Sequence, residues 1–429
     1  MYKSKKMTCD APVRYEVDVL VVGGGVAGCP AAIQASRLGV KTLLIEKNGM
    51  LGGTATVGAV NFPGLFHAWG KQIISGIGYD AVITANAMFS GQLPDFSKVP
   101  KNHWENQIRV DRFALAYTFD KMCIESGVEI CFHTMPVSVI REDDKYTVFC
   151  ADKNGIFAVS ASVVIDTTGD ADVVYMAGYG TETGCELQPA TLMTYIEGYD
   201  IDKIDFDLLK QMCLAEYEKG TLKAGDFQSI EKPFCDELRT GQIYQHLPVE
   251  DASARSKSRL EAASRAAIAR AINFLKKIPG CENIRISHFG GECGIRETRR
   301  IKGETVISAE NYVSGKVYPD AVCYSFYPID LHVSNGEYIE QVFLKPETVP
   351  TIPYSALIPQ GSFRMLTAGR CLSSDRQANS ACRVQATCMA TGQVAGAAAY
   401  LAVKDGCGVS DVDVTELKVL LKQQGFIVP

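Results

Sequence analysis

The stretch that most constrains the fold lies near the N-terminus, where residues 18–47 read DVLVVGGGVAGCPAAIQASRLGVKTLLIEK. The apolar run at residues 17–22 is short enough for a buried parallel strand. Gly23, Gly25 and Gly28 follow it as G-x-G-x-x-G. The first glycine permits a tight turn, the second lets a pyrophosphate approach the backbone, and the third lets the next helix pack closely on the strand.

The glycines are followed by the other parts of a dinucleotide site. We expect a helix from about Val26, with Pro30 in its first turn, where a missing N–H costs little. The N-terminus of such a helix attracts phosphate. A second strand, at residues 42–45, ends at Glu46, whose carboxylate can accept hydrogen bonds from both hydroxyls of an adenosine ribose. The pattern predicts an α/β dinucleotide-binding domain, and NAD and FAD suit it equally.

Composition excludes several function classes. A chain of 429 residues favours two or three domains, and its net charge of −6 argues against a nucleic-acid or anionic-membrane surface as the main function. The N-terminus has no apolar signal-peptide core, and the apolar run at residues 394–403 is too short to span a bilayer, so we expect a cytoplasmic protein. The 15 cysteines include no C-x-x-C, which predicts free thiols and no metal site.

Two later segments return to the same kind of site. The glycine-rich loop KNGMLGGTAT follows Glu46 directly, and its Gly53 and Thr54 could approach a phosphate or a flavin. A buried strand at residues 162–165 ends in Asp-Thr-Thr-Gly-Asp, the last two being Gly169 and Asp170. Open α/β sheets bind ligands at this carboxyl edge.

Periodicity and turn residues predict the remaining elements and three segments. The segments are 1–172, a separate body at 173–360, and 361–429. The predicted elements are a helix at 111–127, strands at 128–131 and 136–140, a hairpin of 146–149 with 157–159, a helix at 253–277, strands at 283–288, 321–327 and 365–368, and a long small-residue helix from Ser380.

Six segments, in order along nearly the whole chain, resemble the FAD-dependent oxidoreductases of the glutathione-reductase-like flavin fold, relatives of the fumarate reductase and succinate dehydrogenase flavoproteins. The segments are VVGGGVAG with Glu46, LGGTAT, VIDTTGDADVVYMAG, GIRETRRIKGE, YPIDLH and LTAGRCLSSDRQANSACRVQATCMATGQVAGAAA. The resemblance implies an α/β fold with a Rossmann-like FAD-binding domain (three-layer ββα) and an inserted α+β substrate domain.

The resemblance also implies an extended FAD along these segments. Val137 would contact adenine through its backbone, and the helix from Ser380 would direct its N-terminus at the flavin, where a positive helix end stabilises the anionic reduced form. The implied cofactor-binding residues are Gly23, Gly25, Val26, Ala27, Gly28, Glu46, Lys47, Gly53, Thr54, Val137, Thr168, Gly169, Asp170, Gly369, Arg370, Ser380, Arg383 and Val384.

Catalytic candidates lie in the predicted substrate body. Arg296, Arg299 and Arg300 form either a salt-bridged structural turn or a clamp for a carboxylate or carbonyl over the flavin. Asp330 and His332 would share one face of a strand, so Asp330 could orient His332 as a proton shuttle, although a structural role is equally compatible. Tyr324, Tyr327 and His67 are weaker candidates. The substrate-binding motifs of fumarate reductases are not matched.

We therefore expect a flavoenzyme that transfers a hydride between flavin N5 and a small organic substrate in the cleft between two domains. The alternatives are a flavoprotein subunit of a larger redox complex, and a non-redox lyase or isomerase that uses FAD. The expected partners are the substrate and an electron acceptor or donor of unknown kind. A second NAD(P)H-binding unit is not visible, and a homo-oligomer is compatible with the sequence.

Overall fold

A computed structural model describes residues 8, 10–100, 102–332 and 339–429. Its strands are β1 (Val13–Val22), β2 (Thr42–Ile45), β3 (His67–Ala68), β4 (Lys71–Gln72), β5 (Glu129–Cys131), β6 (Met135–Arg141), β7 (Tyr146–Asp152), β8 (Gly155–Asp166), β9 (Thr181–Thr183), β10 (Thr194–Glu197), β11 (Gln242–Ile243), β12 (Arg285–Phe289), β13 (Arg299–Ile301), β14 (Ala321–Tyr324), β15 (Ile329–His332), β16 (Ile339–Val342), β17 (Thr351–Pro353) and β18 (Met365–Thr367).

The α-helices are α1 (Gly28–Arg37), α2 (Ile77–Met88), α3 (Arg112–Glu125), α4 (Asp172–Met176), α5 (Phe206–Glu218), α6 (Cys235–Thr240), α7 (Ala254–Leu275), α8 (Ala309–Val313), α9 (Arg376–Cys382), α10 (Gln385–Lys404) and α11 (Val414–Gln423).

A seven-stranded mixed sheet organises the fold. Strands β5, β2, β1 and β8 lie in that order and are parallel, and β18 adds in parallel to β8. Strands β7 and β6 continue the sheet in the antiparallel direction. Strand β8 is long enough to pair with β7 through its first half and with β18 at Val164–Asp166. The predicted hairpin arm at 157–159 and the predicted strand at 162–165 are therefore one strand.

Alternate residues of β1 enter two different cores, as a strand buried on both faces requires. Val19 and Val21 pack with α1, α3 and α10, whereas Leu20 and Val22 pack with α4 and the antiparallel strands. The expected α/β class and the Rossmann-like strand order are confirmed. Helix α3 also follows prediction, because Asp111 accepts a hydrogen bond from Ala114 N as its N-cap.

Helix α10 packs against α1 without space for side chains at two positions. A Cβ built on Gly392 would overlap the carbonyl oxygen of Ala27, and one built on Gly396 would overlap that of Ala31. The helix is 20 residues long and apolar enough by length and composition to cross a membrane, but 89% of the window that meets this test is buried inside the protein. Its apolar surface is therefore used in the core, between the sheet and α1.

Alanine at Gly396 is expected to destabilise the protein by about 1–3 kcal/mol, because the added methyl group pushes two packed helices apart. The free energy of unfolding in urea measures this effect. Gly291→Ala is the matched control, since its Cβ would meet no atom closer than 3.5 Å. Equal unfolding free energies for the two variants would contradict the close packing described here.

Most of the buried apolar residues after α4 divide between two cores, and a few, such as Tyr179 and Ile301, join the core that contains α4. Residues from Leu187 to Cys293 form a second core with α5, α6, α7 and the three-stranded sheet β11-β10-β12, and we call this unit the cap. By contrast, buried residues from Ile307 to Ile358 join the core that contains α1 and α10. The packing thus assigns only the first part of the predicted 173–360 body to an inserted α+β unit.

Candidate functional site

A cavity of about 870 Å³ extends from the carboxyl edge of the parallel strands to the cap. Its walls come from the β1–α1 turn, the ends of β2 and β8, the loop before β6, the β18–α9 loop, the start of α10, β15, and helix α7 of the cap. The cavity therefore joins segments that lie more than 300 residues apart, and its volume is at the upper end of the usual range for ligand sites, about 300–1,000 Å³. We call it the central cavity.

The three glycines of the β1–α1 turn have three different surroundings. Gly23 has φ +105°, and a Cβ there would lie 2.7 Å from the carbonyl oxygen of Thr167. A Cβ on Gly28 would overlap the carbonyl oxygen of Gly23 and lie 2.7 Å from Thr167 Oγ1, so α1 can approach the strand only through a glycine. A Cβ on Gly25 meets nothing within 4 Å, and this residue lines the central cavity together with Val26 and Ala27.

Glu46 lies at the adjacent wall of the cavity. It is buried, and its two carboxylate oxygens accept hydrogen bonds from Gly24 N (2.7 Å) and Asn48 N (2.8 Å). Burial raises the pKa of Glu46, and these two N–H groups partly offset the rise. Lys47 also lines the cavity and pairs with Glu292 of the cap. Gly53 and Thr54 complete this end of the cavity.

Asp170 is the most heavily contacted acid of the site. Its carboxylate accepts from Lys257 Nζ of α7 (2.5 Å), Thr298 Oγ1 (2.5 Å) and Arg370 Nη2 (2.6 Å). Burial alone would raise the pKa of Asp170, but Arg370 and Lys257 outweigh burial and hold it well below its ordinary value. Thr168, Gly169 and Asp170 all line the cavity as expected, and Asp170 also joins the cap to the sheet.

The predicted long helix from Ser380 is two helices. Ser380 lies in α9, which ends with Arg383 as its C-cap. Helix α10 then begins at Gln385 with Val384 as its N-cap. The Ser380 hydroxyl accepts from Asp330 N (3.0 Å) and donates to Gln377 O (2.7 Å), which ties this turn to β15. The helix N-terminus at the cavity is that of α10 and not that of α9. The predicted cofactor-binding residues of this region all line the cavity: Gly369, Arg370, Ser380, Arg383 and Val384.

The structure separates the three clustered arginines. Arg296 lines the cavity, whereas Arg299 and Arg300 do not. Arg299 pairs with Asp172 and donates to the carbonyl oxygen of Asp170 (3.0 Å). Arg300 is buried against Glu297 at 2.9 Å. The structure therefore places neither Arg299 nor Arg300 at the cavity wall, and their ion pairs with Asp172 and Glu297 agree with the alternative of a salt-bridged structural turn.

Asp330 and His332 share a face of β15 and both line the cavity. His332 Nε2 lies 3.2 Å from Asp330 Oδ2, while His332 Nδ1 is buried and has no hydrogen-bond partner among the described residues. Burial, followed by the charge of Arg296, lowers the pKa of His332 to about 4. The imidazole is therefore neutral at pH 7. His246 of the cap stacks edge-on against it at 4.8 Å between ring centroids.

Some predicted residues lie elsewhere, and some residues at the site were missed. Val137 is 44% exposed at a bulge in β6 and does not line the cavity, whose wall here is Thr134–Pro136. His67 also lies outside the cavity wall, stacked on Phe96. Three cap residues were missed by sequence reasoning: Lys257 lines the cavity, while Gln188 and His246 do not line it but contact Arg383 and His332, which do. Only the basic character of the helix at 253–277 signalled one of them.

The described cysteines are all free thiols, which confirms that expectation for 14 of the 15. No cluster of three or more histidine, cysteine, aspartate or glutamate side chains suited to a metal ion occurs in the described ranges.

A profile of the family described as FAD dependent oxidoreductase matches residues 18–421. The chain belongs to this family. FAD is therefore its cofactor, and the enzyme is an FAD-dependent oxidoreductase. The residues present fit that group: the open space at Gly25 suits a pyrophosphate, and the buried Gln385 Oε1 is a polar atom without a partner in the described part of the chain.

Short stretches of the flavoenzyme also match curated proteins. Dihydrolipoyl dehydrogenase of Trypanosoma brucei brucei is 50% identical over 58 residues, which cover 13% of this chain and 12% of that protein. Leghemoglobin reductase of Vigna unguiculata is 54% identical over 54 residues, covering 12% and 10%. The matches thus span about an eighth or less of these relatives.

Solved structures with a similar course of the chain include a geranylgeranyl bacteriochlorophyll reductase-like protein from Thermoplasma acidophilum. It is 14% identical, with a TM-score of 0.45 over 96% of this chain and 84% of that one. A p-nitrophenol 4-monooxygenase from Pseudomonas putida is 13% identical, with a TM-score of 0.43 over 95% and 86%.

Proposed function

We propose that this oxidoreductase transfers a hydride between FAD and a small organic substrate bound at the cap end of the central cavity. The observation that carries the proposal is the Asp330–His332 pair, which lines the cavity with one unpartnered imidazole nitrogen. Bound FAD supplies a two-electron acceptor at this site. The protein must then supply a group for the accompanying proton.

The hydrogen bond to Asp330 fixes which nitrogen of His332 acts. Burial raises the pKa of Asp330, but the hydrogen bond from His332, the charge of Arg383 and the hydrogen bond from Gln341 outweigh burial and hold this pKa well below its ordinary value, so the carboxyl is ionised and can only accept. His332 Nε2 must therefore carry the hydrogen, which leaves a lone pair on buried Nδ1. Oxidation of a substrate H–X–C–H group releases a hydride from carbon and a proton from X, where X is oxygen or nitrogen. The proton would go to Nδ1.

His332→Gln is expected to lower kcat by about 10²–10⁴, the usual contribution of a positioned general base, with little effect on FAD content. Anaerobic bleaching of the flavin by a panel of metabolites identifies the substrate and then measures the rate. The wild-type rate should fall on the acid side with a midpoint near pH 4, since protonation of Nδ1 removes the base. The His332→Gln variant should not show this fall in rate at acid pH.

His288→Gln serves as the control, because His288 is exposed on β12 and does not line the cavity. A His332 variant with an unchanged rate and retained flavin would remove the proposed base. Product formation without any bleaching, in wild-type protein, would favour a non-redox use of FAD over hydride transfer.

A further inference from the structure

The buried and partly buried arginines that the structure describes fall into two groups, those with a carboxylate partner and those without one. In the first group every guanidinium has a carboxylate partner, which repays the cost of removing a charge from water. The pairs in this group are Arg270 with Asp226 (2.6 Å), Arg299 with Asp172, Arg300 with Glu297 (2.9 Å), Arg370 with Asp170 (2.6 Å) and Arg376 with Glu297 (3.2 Å).

The second group contains Arg112, Arg296, Arg364 and Arg383, and of these Arg296 and Arg383 line the central cavity whereas Arg112 and Arg364 do not. In the described part of the chain neither Arg296 nor Arg383 has a salt bridge. Arg296 Nη1 donates to Pro189 O (2.7 Å) and Thr191 Oγ1 (3.0 Å), which are neutral acceptors. Arg383 Nη2 donates to Gln188 Oε1 (3.2 Å) and to the backbone oxygen of Asp330 (3.3 Å), and its Nε is buried without a partner.

The charges at this end of the cavity do not balance. Two guanidinium groups face one carboxylate, that of Asp330, and its oxygens are already used by His332 Nε2 (3.2 Å) and Gln341 Nε2 (3.1 Å). His332 is neutral, and burial raises the pKa of Tyr327, which also lines this wall, so that it stays neutral too. One positive charge is left over, and a bound anion would neutralise it.

We propose that Arg296 and Arg383 bind the carboxylate of the substrate, which is therefore a small organic acid. That the bound acid is a substrate rests on the proposed function, whereas binding of a carboxylate by the two arginines does not depend on hydride transfer. A guanidinium presents a planar fork of donors that matches a carboxylate, and both arginines keep nitrogens that contact no protein acceptor. Phe62 and Met193 offer apolar wall for the rest of the molecule.

The arrangement also places the carboxylate close to the proposed base. Arg383 contacts the backbone of Asp330, two residues before His332 in the same strand. The acid that fits best has its oxidisable carbon next to the carboxylate, as in a 2-hydroxy or 2-amino acid. A rival role for the two arginines is to stabilise the anionic reduced flavin alone, and the experiment must separate the two roles.

The test uses FAD-loaded protein titrated with lactate, alanine, succinate and benzoate, and with lactamide, alaninamide, succinamide and benzamide as uncharged-end counterparts. The perturbation of the flavin absorption spectrum reports binding without requiring turnover. At least one acid should bind more tightly than its amide. Arg296→Gln and Arg383→Gln should each weaken that acid by roughly 30-fold or more, the usual loss when a desolvated charge pair is broken. Arg239→Gln, on the exposed face of α6, should leave it unchanged.

Flavin content is measured first for every variant. If either glutamine variant loses FAD, Arg296→Lys and Arg383→Lys replace it, and they should also weaken the acid because lysine lacks the fork. Equal affinities for acids and amides, no binding by any acid of the series, or arginine variants that shift only the flavin reduction potential would each overturn the inference. Tight binding of an acid without bleaching of the flavin would support the carboxylate site and count against hydride transfer from that acid. Bleaching by uncharged compounds alone would support hydride transfer and count against the carboxylate site.

Discussion

Alanine at Gly28 is expected to remove bound flavin and to destabilise the protein, whereas alanine at Gly25 should affect only the flavin. At Gly28 the new methyl group overlaps the carbonyl oxygen of Gly23 and crowds Thr167 Oγ1, so α1 must move away from the sheet. We expect a loss of about 3 kcal/mol, at the upper end for overpacking of a core. Urea unfolding of the FAD-free protein measures this loss.

Gly25→Ala is the matched comparison within the same turn. Its methyl group meets no protein atom within 4 Å, so the unfolding free energy of the FAD-free protein should stay within about 0.5 kcal/mol of wild type. The methyl group would instead occupy space in the cavity, and FAD affinity should fall by about 10- to 100-fold if the crowding costs as much as overpacking does elsewhere. If the Gly25→Ala variant retained FAD as well as wild type does, the pyrophosphate would not lie against Gly25.

Asp170→Asn is expected to have the second-largest effect, because it leaves Arg370 and Lys257 without their shared carboxylate. Removing one member of a buried ion pair costs about 3–5 kcal/mol. The Lys257 side chain is 35% exposed, so we expect the lower part of that range. Thermal unfolding measures the loss. Asp236→Asn is the control, since its pair with Arg239 is exposed on both sides and should be worth no more than about 1 kcal/mol.

The same carboxylate predicts how stability depends on pH. Its pKa is lower in the folded protein than in the unfolded chain, so Asp170 contributes stability above the unfolded value of about 4. That contribution is lost as the pH falls through the folded pKa, below the unfolded value. The difference in unfolding free energy between wild type and Asp170→Asn should therefore shrink as acid is added. A difference that grows in acid would contradict the charge pairing.

The part of the site that was predictable from sequence is the part made by local pattern. The strand before Gly23, the acid after β2 and the acid after β8 all follow from short-range rules of βα units, and the structure brings all three to one cavity. Boundaries were less accurate. Helix α1 begins at Gly28 rather than near Val26, and the break at Arg383 was not signalled by glycine or proline.

The remaining differences concern mostly contacts between distant segments. The pair of Arg300 with Glu297 is local and matches the salt-bridged turn that the sequence allowed, whereas nothing near Arg299 in sequence shows that it will pair with Asp172. His246 reaches the site only because the cap folds over the cavity and places it against His332. Val137 lies outside the cavity wall for a different reason: a bulge between Pro136 and Ser138 changes the register of β6 at this residue.

The position of β18 and α10 has a consequence for how the enzyme matures. Strand β18 pairs with β8, which lies some 200 positions earlier, and α10 closes on α1 across more than 350. The β1–α1 turn is synthesised early, but the residues of β18 and α10 that complete the flavin pocket are synthesised only when nearly the whole chain has been made. Contacts of such long sequence separation form slowly, and incomplete chains expose apolar surface. Cofactor loading should thus be a late event, and ribosome-bound chains that stop before residue 365 should carry no flavin.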